Sequence, residues 1–340
     1  MKSNLFTYLI FSIFFLASCS NEFELTEKGE DVPIVYGVIS AQDTAIYIRV
    51  EKSFVSESVG GKELALDPKN LYYDNIQVVL RHEKTSKDFT LVRVDGNNEG
   101  YKRVPTGVFA SSPNYLYKIK RNDINLIPMD DYKLIVKKSD GQILTEASTP
   151  ILRAMTDAKQ DVNPKASATL AFGYTADFKV EFFPDVNSVI HDIILTMHYR
   201  EIDAKGIELR KTVDWVAGKN TSNKVGVGNY SHSFKGINFY QFLGSAIPAN
   251  DPAKPVTRRF DNITLKIVSG GQPIKNYISI GQINLGITSS GEIPVYSNLS
   301  NGARGLFSSK ATFQRDGMAI TNTTMDSIRN GIYTRQLNFK

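Results

Sequence analysis

The sequence is poor in cysteine, tryptophan and histidine. Its 340 residues contain one cysteine, one tryptophan and four histidines. A single cysteine excludes an intrachain disulfide framework. It also excludes any zinc site built on two or more thiolates. No apolar run reaches the ~20 residues that a membrane-spanning helix needs. Gly and Pro number 24 and 13, near average usage, which excludes collagen-like and low-complexity chains. One-sided charge is also missing, because 40 basic residues are nearly balanced by 35 acidic ones. The densest basic groups, Lys118-Ile119-Lys120-Arg121 and Arg258-Arg259, are too short for the stripe that tracks nucleic-acid phosphates.

Catalytic motifs are missing as well. The chain has no G-x-S-x-G, no G-x-x-x-x-G-K-[ST] and no H-E-x-x-H. Gly226-Val227-Gly228 lacks the third glycine of a phosphate loop. His191 and His198 stand seven apart, which on a strand puts them on opposite faces. His82 and His232 have no such neighbour and read as strand histidines. Asp130-Asp131, and Asp185 near Glu181, are carboxylate pairs of ordinary spacing. Asp130-Asp131 reads as the start of a strand after Pro128. Trp215 and the many Tyr and Phe residues read first as core and cross-strand pairs. No residue is assigned a catalytic, cofactor-binding or metal-ligating role, and the chain reads as a non-enzyme.

What is present begins at the N-terminus, MKSNLFTYLIFSIFFLASC. Lys2 precedes an apolar stretch from Leu5 to Leu16, which fits the 7–15-residue apolar region of a signal peptide. Leu16-Ala17-Ser18-Cys19 resembles the bacterial lipobox. Cleavage between Ser18 and Cys19 is expected, with the Cys19 thiol taking diacylglycerol and palmitate-type chains serving as the anchor. One acyl chain anchors marginally and two or three anchor durably, at about 0.8 kcal/mol per buried CH₂. Residues 1–18 are thus the signal peptide, and the acidic 19–31 stretch reads as a lipid-anchored polar tether. Glu22 and Glu24 resemble the surface-export signal of some Bacteroidota lipoproteins.

The remainder predicts short alternating strands. They are expected at Pro33–Ser40, Ala45–Val50, Asn75–His82, Tyr115–Ile119 and Tyr132–Val136, with a hairpin turn at Ser139-Asp140-Gly141. Residues 54–73 read as an insertion and 150–167 as a connection. Further strands are expected at Ala168–Tyr174, Phe178–Phe182, His191–Tyr199, Glu208–Val216, Phe260–Val268 and Tyr277–Ile287. Short helices are expected at Asn238–Leu243 and Thr323–Asn330, the latter with Thr323 as N-cap and Gly331 at C′. The predicted fold is mainly β. An immunoglobulin-like sandwich over 32–152 is followed by a second β-rich domain over 153–340 with one or two short helices. Asp43-Thr44-Ala45 and Asp326-Ser327-Ile328 match the loose Bacteroidota O-glycosylation pattern.

Three segments carry a family resemblance. They are Pro33-Ile34-Val35-Tyr36-Gly37-Val38-Ile39 with Ala45–Val50; Pro294-Val295-Tyr296-Ser297-Asn298-Leu299 with Asn301-Gly302-Ala303-Arg304-Gly305-Leu306-Phe307; and Thr324-Met325-Asp326-Ser327-Ile328 with Leu337-Asn338-Phe339. Together they resemble the Bacteroidota outer-membrane lipoproteins classed as domain of unknown function 4249. Ala303 stands where that family usually has a second glycine. Gly302 and Gly305 themselves read as glycines that let the chain turn before a strand. The resemblance implies a lipid-anchored outer-membrane protein on the periplasmic or cell-surface side, possessing no established activity. Its gene neighbourhoods imply an accessory or ligand-binding role beside a TonB-dependent receptor. The alternatives are a structural or adhesive envelope lipoprotein and, behind both, a surface hydrolase.

Overall fold

The computed structural model describes residues 31–54, 60–222, 228–283 and 295–340. The described residues are mainly β, with 45% strand and 17% helix, as the alternating pattern predicts. The first half supplies β1 (Pro33–Ile39), β2 (Ala45–Lys52), β3 (Ile76–His82), β4 (Lys87–Thr90), β5 (Val92–Asp95), β6 (Tyr115–Lys120), β7 (Asp131–Lys138) and β8 (Ile143–Pro150). Two short helices, α1 (Gly61–Leu66) and α2 (Pro68–Leu71), occupy the expected insertion between β2 and β3. The second half supplies β9 (Val162–Asn163), β10 (Asp177–Phe182), β11 (Ser188–Ile202), β12 (Glu208–Ser222) and β13 (Tyr230–Lys235). Then come α3 (Ile237–Ala246), β14 (Thr257–Gly271), α4 (Gln272–Ile283), β15 (Arg304–Met318) and α5 (Asn322–Asn330).

One eight-stranded sheet runs β12-β11-β14-β15-β1-β2-β6-β5. A four-stranded sheet, β4-β3-β7-β8, and a three-stranded sheet, β13-β10-β9, accompany it. Strands alternate side chains between faces, and this organises both cores. Val35, Ile48, Val50 and Ile119 of the large sheet share one core with Val78, Leu80, Leu134 and Val136 of the four-stranded sheet. Ile193, Leu195, Met197 and Leu265 share a second core with Val180 and Phe182 of β10 and with Phe239, Tyr240 and Leu243 of α3. Phe307 lies in the first core and Phe313 in the second. Both are odd positions of β15, so the two cores sit side by side on one face of the large sheet. Ile151 is the last core residue of the first set before Met155 opens the second. The sheet itself continues across that junction.

β15 is the shared strand. Its residues from Arg304 to Ser309 pair in parallel with β1, and Lys310 to Met318 pair antiparallel with β14. Each half therefore leaves one strand edge open, and unpaired backbone amides are costly when buried. Side-chain carboxamides fill both gaps. Asn298 accepts from the Phe307 N–H at 3.0 Å and donates to its carbonyl at 2.7 Å. Gln42 accepts from the Thr312 N–H at 2.7 Å and donates to its carbonyl at 2.7 Å. Each amide imitates one residue of a neighbouring strand. Gly305 fixes the closeness of the β1 contact: its φ is +121°, and any Cβ there would collide with the Val35 carbonyl oxygen. Gly302, at φ +69°, has open space around it and serves the turn alone. Ala303 is buried, and its carbonyl accepts from the Ser297 hydroxyl at 2.7 Å.

Four expectations are corrected. Tyr277–Ile287 is not a strand. Residues 272–283 form α4, because Gly270-Gly271 ends β14, Pro273 suits a first helical turn, and Ile274, Tyr277 and Ile278 fall on one helical face. Residues 284–287 lie outside the described residues. Ala168–Tyr174 is not a strand either, apart from one bridge from Leu170 to Ile320. Side chains satisfy its backbone instead: Phe172 N–H donates to Thr324 Oγ1 at 3.0 Å, and Tyr240 Oη donates to the Phe172 carbonyl at 2.5 Å. The last helix starts one residue earlier, with Thr321 as its cap, accepting from the Thr324 N–H. Gly331 is not left-handed (φ −66°); it is glycine because a Cβ would collide with Tyr174 Oη and the Ser327 carbonyl.

Gly305→Ala is expected to cost about 3 kcal/mol or more, since it combines a glycine-only backbone region with a backbone collision. Gly302→Ala should cost only about 1 kcal/mol. Urea unfolding midpoints of the two variants check this order. Asn298→Leu strands two backbone groups and should cost about 2–4 kcal/mol, read in the same assay.

Candidate ligand-binding face

Because both cores occupy one face of the large sheet, neither core covers its other face. Tyr36 and Val38 of β1, Tyr47 of β2, and Leu306 and Lys310 of β15 point that way. α4 lies across this face, over β11, β14 and β15. A cavity of about 370 Å³ opens between the helix residues Ile274, Tyr277 and Ile278 and the sheet residues Val38, Ile190, Val268 and Leu306. Its lining is chiefly aliphatic and aromatic, which suits an apolar group. The Tyr36 and Tyr277 rings meet edge to face at 6.3 Å. Burial, followed by the hydrogen bond and charge of the Tyr277 hydroxyl, pushes the Tyr36 hydroxyl up to about 12.

Beside it lies a polar cleft of about 500 Å³, lined by Asp43, Thr44, Tyr47, Glu99, Tyr101 and Lys310. Val38 and Lys310 border both spaces, so the two form one composite site. The pairing Tyr47↔Lys118 between β2 and β6 sets the wall of the cleft. Glu99 reaches it from the segment after β5, accepting from Tyr47 Oη at 2.9 Å and from Lys118 Nζ at 2.5 Å. The Lys118 ammonium also stands 5.5 Å above the Tyr47 ring. Tyr101 packs on Tyr47 with ring centres 4.8 Å apart. Asp43 faces Lys310 at 3.8 Å. Each carboxylate therefore has its own cation, and the cleft offers donors, acceptors and ring faces without a net charge. That combination fits a neutral ligand bearing hydroxyl or amide groups.

Of the residues singled out in the sequence, His191 borders the apolar cavity, Asp43 and Thr44 line the cleft and Lys118 stands at its wall, whereas the others lie elsewhere. Ser18 and Cys19, with the whole signal peptide and most of the tether, lie outside the described residues. His191 and His198 do face opposite sides of β11: His191 is buried and bonds Ser269 Oγ at 2.9 Å, whereas His198 bonds Thr264 Oγ1 at 2.9 Å. His82 bonds Asp130 Oδ2 and Thr85 Oγ1, both at 2.9 Å, and stacks on Tyr132. That trio resembles a hydroxyl–imidazole–carboxylate relay, but it closes the β3–β4 turn and lines neither space of the composite site. Asp131 opens β7, as expected. Asp185 accepts from the Arg153 and Asn187 backbone amides, and Glu181 pairs with Lys179 at 2.7 Å, so the two carboxylates have separate structural partners. Trp215 packs on Phe234, Phe239 and Phe242 of the second core. Arg258 is buried on Glu201, while Arg259 is exposed. Thr44 of the first glycosylation match is exposed at the cleft; Ser327 of the second lies inside α5 and donates to the Thr323 carbonyl.

Among the described residues no group of three or more His, Cys, Asp or Glu is placed to hold a metal ion. No described helix is long and apolar enough to cross a membrane. No protein-family model matches the chain, and no curated protein matches it. Sequence reading missed Glu99, Tyr101 and α4. The one signal for them was the outward position of Tyr47 on an alternating strand.

Lys118 first, and then Tyr47, hold the Glu99 carboxyl below its ordinary value of 4.5. A lowered folded value means that this contribution is present above about pH 4.5. It is lost as the pH falls through the folded value. Glu99→Gln should therefore unfold at lower urea than the parent at pH 7, and the gap should narrow progressively as the pH falls below 4.5.

Proposed function

We propose that this chain is a lipid-anchored outer-membrane protein, without catalytic activity, that binds a small ligand and serves a TonB-dependent transporter as an accessory. The composite site is the observation that carries the binding part. An apolar cavity under α4 opens beside a charge-balanced polar cleft, on a sheet face that neither core uses. A ligand with one apolar end and one hydroxyl- or amide-bearing end fits it. The absence of any catalytic motif in the sequence supports the non-enzymatic reading. Leu16-Ala17-Ser18-Cys19 supports the anchor, and the acidic residues after Cys19 support the cell-surface side. The resemblance to the domain of unknown function 4249 lipoproteins supports the transporter partner. The immunoglobulin-like character of residues 32–152 belongs to the same reading, supported by two sheets facing each other over one core.

Cys19→Ala is expected to move the protein from the membrane to the aqueous fraction. Equal membrane retention of mutant and parent would remove the anchor. Deleting the gene should abolish uptake of one nutrient class. Ile278→Trp, which fills the cavity, should fail to restore that uptake although the protein remains folded by circular dichroism. Normal uptake with altered cell attachment would favour the structural or adhesive alternative.

A further inference from the structure

A second unpartnered surface stands where the chain enters the fold. Val32 N–H donates to Ser53 Oγ and Ser53 N–H donates to the Val32 carbonyl, both at 2.9 Å. Asp31 is therefore held beside Ser53 at the end of β2. The next residue, Phe54, packs on a small separate cluster of Leu71, Tyr72 and Ala110. α1 and the loop 101–109 form the outside of that cluster, joined where the Ala110 N–H donates to the Ala65 carbonyl at 2.8 Å.

This outside is apolar. Leu66 is 55% exposed, Tyr101 52%, Val104 67%, Val108 58% and Phe109 47%. Single exposed apolar residues are ordinary, but five on two adjoining segments mark an interaction surface. The loop is braced rather than slack. Arg103 pairs with Glu51, donates to the Ala110 carbonyl at 3.3 Å and stands over the Phe109 ring at 5.7 Å. Asn97 Oδ1 accepts from the Arg103 N–H at 3.1 Å, and Asn114 Nδ2 donates to the Tyr101 carbonyl at 2.5 Å. The apolar tips are thus held outward by a polar base. Exposed charges around them, Lys62, Lys69 and Lys102 against Glu63 and Asp67, are close to balanced. Apolar burial, not charge, is the available driving force.

The occupant follows from chain length. The stretch from Cys19 to Asp31 spans at most roughly 43 Å when fully extended, so a lipid on Cys19 keeps this end of the fold near the bilayer. We infer that α1 and loop 101–109 seat the protein on the lipid surface, with Val104, Val108 and Phe109 entering the interface and Tyr101 at its edge. This rests on the anchor reading for its location. Each inserted side chain adds modest affinity, and the tether supplies the high local concentration that makes it sufficient.

In the lipidated protein the Cys19 sulfur is blocked, so an introduced cysteine is the sole thiol. Val104→Cys and, as a control, Lys205→Cys in the β11–β12 turn would each carry an environment-sensitive dye, with the protein in phosphatidylcholine vesicles. Dye at position 104 should shift to the blue and lose emission to a quencher in the lipid chains, equally at low and high salt. Dye at position 205 should do neither. Unchanged emission at position 104 in a protein that floats with the vesicles overturns the inference while leaving the anchor intact. A protein that fails to float overturns the anchor reading instead. Protection of position 104 in native membranes but not in pure lipid vesicles would assign the surface to a protein partner and overturn the lipid assignment. As a second variant, Val108→Asp with Phe109→Asp should keep the vesicle attachment and abolish the blue shift at position 104.

Discussion

The fold depends on how β15 is shared. One strand supplies Phe307 to the first core and Phe313 to the second, and it pairs with β1 along one half and β14 along the other. A strand that changes partners midway leaves backbone groups open on each edge. Here two carboxamides, Asn298 and Gln42, close them. The parallel half comes close enough to β1 that only glycine fits at position 305. Remove these contacts and each core loses a wall. The two halves are therefore mechanically one object, although each has its own apolar interior.

Placing both cores on the same face has a further effect. A sheet covered on one face can leave the other to water, and here that face is partly covered by α4 instead of by a third layer. The helix touches three neighbouring strands, β11, β14 and β15, and leaves space beneath it unfilled. The apolar cavity results from that incomplete cover. The polar cleft results from a different cause. Tyr47 and Lys118 are brought opposite each other by register, and the segment carrying Glu99 and Tyr101 folds back over them.

Much of the strand content was legible because a half-buried strand must alternate. Ile46, Ile48 and Val50, or Ile263, Leu265 and Ile267, announce their own faces. The errors arose where apolar residues serve other ends. Ile278, Ile280 and Ile283 are β-branched and read as strand, yet two glycines and a proline had already stopped β14. Leu170 and Phe172 are apolar and extended, but Leu170 makes only an isolated bridge to the backbone around Ile320, and the backbone of Phe172 is paired by side chains of distant helices. Pairing partners were not legible at all. Nothing local in Arg304–Ser309 says that it will lie beside Pro33–Ile39. The cleft shares this limit, since Asp43, Glu99 and Lys310 converge only after the sheet has formed.

The parallel contact between β1 and β15 joins segments some 270 residues apart in the chain, the separation between Gln42 and Thr312. Contacts of such long range form slowly, because the intervening chain must be closed into a loop first. A chain emerging N-terminus first would present β1 and β2 long before their central neighbour exists. The first core would have to wait, one edge unpaired, for residues some 270 positions further along the chain. Exposed strand edges of this kind invite aggregation. Completion of the first core thus waits for β15, and the interval before that strand arrives is one in which a holding factor has the most to protect.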